Sequence, residues 1–130
     1  MPPVFRRRRP GAPDEVQRAF HRVLGHVERA KGILVAAVPS GRTEGIPVAE
    51  AVLGFERALR EAWDLMAGWR TPETETVWRG CRDALARSTR GAERLRLEAP
   101  AMDHEALVTI LGDLIAPLEA FEAADGALAG

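Results

Sequence analysis

The sequence predicts an all-α protein, an antiparallel (up-down-up-down) four-helix bundle with a flexible N-terminal arm. Three observations support this fold class. Apolar residues recur every three or four positions in four segments of the 130-residue chain, which is the spacing that places them on one face of an α-helix. Proline or glycine separates consecutive segments. Only about three residues connect the second and third segments, and so short a connection forces two helices to run antiparallel.

Residues 1–12 are predicted to form the flexible arm, because they contain prolines, little to bury and the run Arg6, Arg7, Arg8 and Arg9. The first helix is expected over about residues 14–38, ending before Pro39. Residues 33–38 are apolar on every side of this helix. Either the following loop or another subunit must therefore cover its end. The apolar stripe of the helix comprises Val16, Phe20, Val23, Leu24, Val27, Ala30, Leu34 and Val38.

The second and third helices are expected over about residues 47–68 and 72–98. Thr71 and Pro72 mark the start of the third helix, since they supply an N-terminal cap and a first-turn proline. The stripe of the second helix comprises Val48, Ala51, Val52, Phe55, Leu59, Ala62, Met66 and Trp69. The stripe of the third comprises Val77, Cys81, Ala84, Leu85, Ser88, Ala92 and Leu95.

The fourth helix is expected over about residues 103–124, with Asp103 as its cap. Pro117 lies inside it and removes a backbone hydrogen bond. Because the apolar pattern continues through this position, we expect a kink there and not a helix end. Residues 13–125 then form a single bundle domain, and residues 126–130 form a frayed tail. The stripe of this helix comprises Leu107, Ile110, Leu111, Leu114, Leu118 and Phe121.

The composition is that of one globular domain, with 46% hydrophobic and 28% charged residues. A single cysteine, Cys81, permits no disulfide bond within the chain. The arginine run leads directly into Pro10 and Gly11 without the apolar stretch of a secretory signal. No apolar run approaches the roughly 20 residues of a membrane span. We therefore expect a cytoplasmic protein without a membrane partner.

No catalytic site, metal site or cofactor is predicted. His21 and His26 lie roughly 140° apart on a helical wheel, so they cannot face one metal ion together. The Glu-x-x-His pattern of di-iron bundles does not occur. Cys81 lies on an apolar stripe, where a thiol usually packs as a small hydrophobic group and does not act as a nucleophile. An enzymatic role therefore ranks last.

Charge is distributed unevenly along the chain, with a net charge of +6 over residues 1–96 and −7 over residues 97–130. The third helix carries an arginine stripe opposite its apolar stripe, and this stripe is a candidate anion-binding surface. The competing interpretation is a solvated face on which Glu75 pairs with Arg79 and Asp83 with Arg87. The net charge of −1 argues against nucleic acid as a partner. The arginine stripe comprises Arg79, Arg82, Arg87, Arg90 and Arg94.

The favoured partner surface combines the apolar end of the first helix with a tryptophan cluster around the connection between helices two and three. Buried tryptophans close a bundle core, whereas exposed ones mark a partner surface. The candidate interface residues are Ile33, Val35, Val38, Trp63, Trp69 and Trp78. The function expected first is thus a non-enzymatic bundle protein that acts through protein–protein contact, as a homodimer.

Two alternatives remain open at the level of sequence. One is a module that binds an anionic ligand or nucleic acid through the arginine run of the arm and the arginine stripe of the third helix. The other is a binder of a small apolar ligand between the helices. In that case Pro117 opens the core and frees the carbonyl group of Asp113.

Overall fold

The computed structural model describes residues 11–37, 48–98 and 104–129, and all regular structure within these ranges is helical. The helices are α1 (Asp14–Ala37), α2 (Val48–Leu65), α3 (Glu75–Glu98), α4 (His104–Ile115) and α5 (Ala120–Ala129). A 3₁₀ segment, Met66–Trp69, follows α2, and a second, Ala116–Glu119, joins α4 to α5. The part of the chain from α4 to α5 is the fourth helical segment. The predicted all-α helical bundle is confirmed.

The core is formed by the apolar stripes of all four segments. Phe20, Phe55 and Phe121 are fully buried, together with Leu34, Leu59, Leu85, Leu95, Leu111 and Leu118. Burying a side chain of this size stabilises the fold by roughly 1.5–3 kcal/mol, so these residues account for much of the driving force for folding. Among the described helices, none combines the length and the hydropathy that crossing a membrane requires.

Helices α1 and α2 contact each other in opposite chain directions. A Cβ atom placed on Gly54 would lie 3.5 Å from Ile33, and one placed on Gly68 would lie 3.4 Å from Ala19. Late residues of α1 therefore meet early residues of α2, as the antiparallel arrangement requires. Because residues 38–47 and 99–103 lie outside the described residues, the complete up-down-up-down order of the helices stays a prediction.

The connection between α2 and α3 is fixed by two threonines. Thr71 Oγ1 accepts a hydrogen bond from the backbone N–H of Thr74 (3.1 Å), and Thr74 Oγ1 accepts one from the backbone N–H of Thr71 (2.8 Å). The Thr74 hydroxyl also donates to the carbonyl oxygen of Trp69 (2.8 Å). This reciprocal arrangement is that of a capping box. Thr71 thus caps the helix as predicted, although regular α-helix begins only at Glu75.

Pro117 interrupts the fourth helical segment with a 3₁₀ turn and does not end it. The buried face continues through the turn, because Leu114 and Leu118 both lie in the core. Ser88 of α3 donates a hydrogen bond from Oγ to the carbonyl oxygen of Leu114 (2.7 Å). This bond satisfies the carbonyl oxygen of Leu114, which lies about one turn before the proline, whose ring and missing N–H disturb the helical pattern. The buried face of the fourth segment is therefore continuous across Pro117.

The C-terminal tail that was expected to fray from residue 126 is helical as far as Ala129, and Leu128 is buried. The backbone N–H of Ala12 donates to the carbonyl oxygen of Leu128 (2.9 Å) and so satisfies an acceptor at the helix end. A side chain on Gly11 would come within 2.9 Å of the same oxygen, so glycine permits this close approach. Residues 11 and 12 thus belong to the bundle. The remainder of the predicted arm, residues 1–10, lies outside the described residues, as does Gly130.

Candidate functional site

Two of the three tryptophans belong to the core and not to a partner surface. Trp69 is fully buried and Trp78 is 6% exposed. Trp78 Nε1 donates a hydrogen bond to the carbonyl oxygen of Met66 (2.7 Å), and the Arg70 guanidinium lies 4.1 Å from the centre of the Trp78 ring. The interface expected at these two positions is corrected to core, because both indoles close the end of the bundle. Trp63, at 47% exposure, stays on the surface.

The apolar end of α1 is partly open. Val35 is 62% exposed, whereas Ile33 is only half-buried between α1 and α2, and Val38 lies outside the described residues. Lys31, one helical turn before Val35, forms an ion pair with Glu122 of α5 (3.3 Å). Residues four apart share a flank of the helix, so Val35 faces the α4–α5 side of the bundle.

Four of the six large apolar side chains that are exposed in the described ranges belong to α2 and α3, and three of these four lie on the flanks where the two helices meet. The three are Leu53 (48%), Trp63 (47%) and Leu97 (79%). Arg96 bridges the two helices there, donating hydrogen bonds to both carboxylate oxygens of Glu56 (2.9 and 3.2 Å). Leu53 lies one turn before Glu56, and Trp63 lies two turns after it. We call the surface around these three apolar residues the α2–α3 face.

A groove of about 370 Å³ runs between the two helices on this face. The lining residues are Glu56, Leu59, Arg60, Trp63, Ala86, Thr89, Arg90 and Glu93. The hydrogen bond that Arg96 donates to Glu56 raises the pKa of Arg96, and the charges of Glu56 and Glu93 add to this rise. Both carboxylates of the groove therefore lie in the field of Arg96. Arg60 and Arg90 form no ion pair with any described residue.

Two members of the predicted arginine stripe are engaged within the chain. Arg79 Nε donates to Glu75 (2.7 Å), as the i, i+4 spacing predicted. Arg82 pairs with Asp83 (3.3 Å). The expected pair between Asp83 and Arg87 is not formed, and Asp83 contacts Arg82 instead.

The other three stripe arginines form no ion pair with described residues, and they separate onto two sides of α3. Arg90 lines the groove of the α2–α3 face. Arg87 and Arg94 line a cleft of about 370 Å³ between α3 and α4, beside Pro117. The rim of this cleft also carries Glu98 and Asp113, so its formal charges balance. The opening that the sequence suggests at Pro117 corresponds to this cleft, and the binding of a small apolar ligand there stays a prediction.

The thiol of Cys81 and the imidazoles of His21 and His26 have different partners. Cys81 is buried, and desolvation raises the pKa of its thiol to about 12, so the thiol is protonated at neutral pH. His21 contacts Asp125 (2.9 Å), and His26 lies 3.8 Å from Glu61. Within the described ranges, no three His, Cys, Asp or Glu side chains converge as metal ligands would.

The chain matches no family model, no curated protein and no solved structure. The candidate site is therefore defined by geometry and charge, and it is the α2–α3 face with its groove. Sequence reasoning named Trp63 and Arg90 but missed Leu53, Leu97 and Arg60. A signal for the two leucines was present, since both are large apolar residues away from the apolar stripe of their helix.

Proposed function

We propose that this is a non-enzymatic helical-bundle protein that acts through protein–protein contact in the cytoplasm, and that it forms a homodimer through the α2–α3 face. The observation that carries the proposal is the exposure of Leu53, Trp63 and Leu97 on one surface. Removing apolar area from water drives most protein association, and tryptophan is enriched among the residues that dominate interface energies. A second copy of the chain supplies an apolar surface of matching size.

The charges of the α2–α3 face suit contact with an identical face. Arg60 and Arg90 form no ion pair with described residues, and neither does Asp64, which follows Trp63. In a two-fold symmetric dimer the same patch meets itself, so arginines of one copy can face carboxylates of the other. The net charge of −1 produces little repulsion between copies.

Sedimentation velocity over a concentration series tests the proposal. We expect reversible dimerisation of the native chain, and a dimer dissociation constant raised at least about tenfold in the double variant Leu53→Ser/Leu97→Ser. Both leucines are exposed, so the variant should keep the unfolding free energy of the monomer within about 0.5 kcal/mol. The matched control is Val35→Ser/Val108→Ser, which removes exposed apolar groups elsewhere and should leave the dissociation constant unchanged.

Two results would contradict the proposal. If the native chain sediments as a monomer at every concentration, the protein does not self-associate. If the control variant dissociates while the leucine variant dimerises normally, the interface is formed by the α1 end of the bundle and not by the α2–α3 face.

A further inference from the structure

The apolar part of the groove suits a flat ring. The Trp63 side chain is half-exposed along it, and the groove also has Leu59, which is buried, and Ala86, which is partly buried, in its lining. Aromatic rings stack on an indole with favourable quadrupole geometry, and a rigid ring loses little conformational entropy when it binds. An aromatic molecule thus covers the exposed indole more effectively than a flexible chain does.

The charged part of the groove suits a carboxylate. Arg96 engages Glu56 directly, whereas Glu93 forms no ion pair with a described residue. Three arginines (Arg60, Arg90 and Arg96) meet two carboxylates (Glu56 and Glu93) at the groove, so its formal charge is positive by one. Arg60 comes from α2, one turn before Trp63, and Arg90 enters from α3. A guanidinium presents a planar set of donors that matches a carboxylate. Two such groups without an ion-pair partner among the described residues leave local positive charge beside the indole.

From these observations we infer that the groove binds a small aromatic carboxylate, and that the bound molecule competes with self-association. The volume of about 370 Å³ lies near the lower end of ligand sites, which span roughly 300–1,000 Å³, so the groove holds one molecule of one or two rings. A bare anion leaves the indole exposed, and a neutral aromatic molecule leaves the arginines unpaired. The competition rests on the proposed homodimer, because Trp63 serves both contacts. The binding of the aromatic carboxylate does not depend on the proposed homodimer.

The binding is tested with 2-naphthoate as the probe, in the Leu53→Ser/Leu97→Ser background that is designed to be monomeric. Isothermal titration calorimetry should show one site per chain, with an affinity that falls at least about tenfold when Arg60→Ala and Arg90→Ala are added. The matched control adds Arg57→Ala and Arg87→Ala, which removes the same charge from exposed positions outside the groove. The control should keep the affinity within about twofold.

Two further probes separate the ring from the charge. Both 2-naphthylmethanol, which lacks the carboxylate, and inorganic phosphate, which lacks the ring, should bind at least about tenfold more weakly than 2-naphthoate. Trp63→Phe should abolish the fluorescence quenching that naphthoate causes while keeping calorimetric binding. If phosphate or a DNA oligonucleotide binds as tightly as naphthoate through Arg60 and Arg90, the site recognises anions in general and the inference is overturned. If the arginine substitutions leave the affinity for 2-naphthoate unchanged, the inference is overturned as well.

The competition is tested by sedimentation of the native chain with and without 2-naphthoate. We expect the apparent dimer dissociation constant to rise as the inverse square of the fraction of grooves that are empty, because both copies need an empty groove in order to pair. A dimer that persists at saturating naphthoate overturns the competition while the homodimer stands. A native chain that is monomeric throughout contradicts the homodimer and with it the competition, and calorimetry then decides alone whether the groove is an aromatic carboxylate site.

Discussion

Tryptophan and arginine occur both in the α2–α3 connection, residues 66–75, and on the α2–α3 face. The two regions differ in whether these side chains are buried or ion-paired. In the connection Trp69 is buried, and Arg70 donates two hydrogen bonds of 2.9 Å to Glu75. On the face Trp63 is half-exposed, and Arg90 forms no ion pair with any described residue. Tryptophan and arginine therefore do not mark a partner surface by their presence. What distinguishes the two regions is whether the chain itself supplies partners for them.

The short turn explains why the connection is closed. The Thr74 hydroxyl binds the carbonyl oxygen of Trp69, which holds the end of the 3₁₀ segment against the start of α3. The Trp69 ring then packs edge-on against Phe20 of α1, with 4.8 Å between ring centres. On the outer side of α2 and α3 no further element of the described chain packs, so the side chains there keep their exposure.

The largest expected effect comes from truncating the buried indole. Trp69→Ala should lower the free energy of unfolding by about 3–5 kcal/mol, because it removes a fully buried ring and leaves a cavity. The matched substitution Trp63→Ala should change the unfolding free energy of the monomer by no more than about 0.5 kcal/mol. Urea unfolding followed by circular dichroism at low protein concentration measures both. If the two variants lost the same free energy of unfolding, the two indoles would contribute equally to stability. The contrast between the connection and the face would then be wrong.

A second variant at the same position guards against a chain that fails to fold. The indole Nε1 of Trp69 has no hydrogen-bond partner among the described residues, so Trp69→Phe gives up ring volume but no polar contact. We expect Trp69→Phe to lower the free energy of unfolding by less than half as much as Trp69→Ala does. A larger loss would show that the indole N–H contributes to stability.

The next effect concerns the threonine that fixes the turn. Thr74→Ala removes the hydroxyl that accepts from the backbone N–H of Thr71 and donates to the carbonyl oxygen of Trp69. Losing a cap of this kind costs about 1–2 kcal/mol. Thr76→Ala, at an exposed position two residues later, is the control and should be close to neutral. Thermal unfolding of the two variants checks the difference, and a loss at Thr76 as large as that at Thr74 would contradict it.

Much of the fold could be predicted from the sequence because helical periodicity is a local property. The stripe positions Phe20, Phe55 and Leu85 are buried as expected, since a period of 3.6 residues places them on one face wherever the helix packs. The Thr71 cap was also predictable, because its partner lies only three residues away.

Features that depend on distant parts of the chain could not be predicted in this way. The tail is ordered because Ala12 binds the carbonyl of Leu128, and no local pattern at residue 128 reveals a partner more than a hundred positions earlier. Trp69 lies on the apolar stripe of the second helix and Trp63 lies off it, so the periodicity separates these two residues, but the partners of each side chain depend on tertiary packing. The groove likewise requires the register that places Arg60 of α2 and Arg90 of α3 along one line of contact.

The smallest expected effect is a pH dependence of the stability of the α2–α3 connection. Glu75 accepts hydrogen bonds from Arg70 and Arg79, and these bonds lower the pKa of its carboxyl from 4.5 to about 2. A carboxyl group whose pKa is depressed by folding stabilises the native state above its unfolded pKa. That stabilisation is lost as the pH falls toward the folded value. The connection should therefore weaken between about pH 4.5 and pH 2.

Glu75→Gln isolates this contribution. At pH 7 the variant should melt at a lower temperature than the native chain, and the difference should shrink as the pH falls below about 4.5 and vanish once the pH is below about 2. The shift should be smaller than that of Thr74→Ala, because Glu75 is partly exposed to solvent that screens its ion pairs. Glu73→Gln, which removes an exposed carboxylate of the same turn without an ion-pair partner among the described residues, is the control. A melting difference for Glu75→Gln that is independent of pH would mean that the side chain acts by packing. The pairing of charges would then no longer explain why the connection is closed and the face is open.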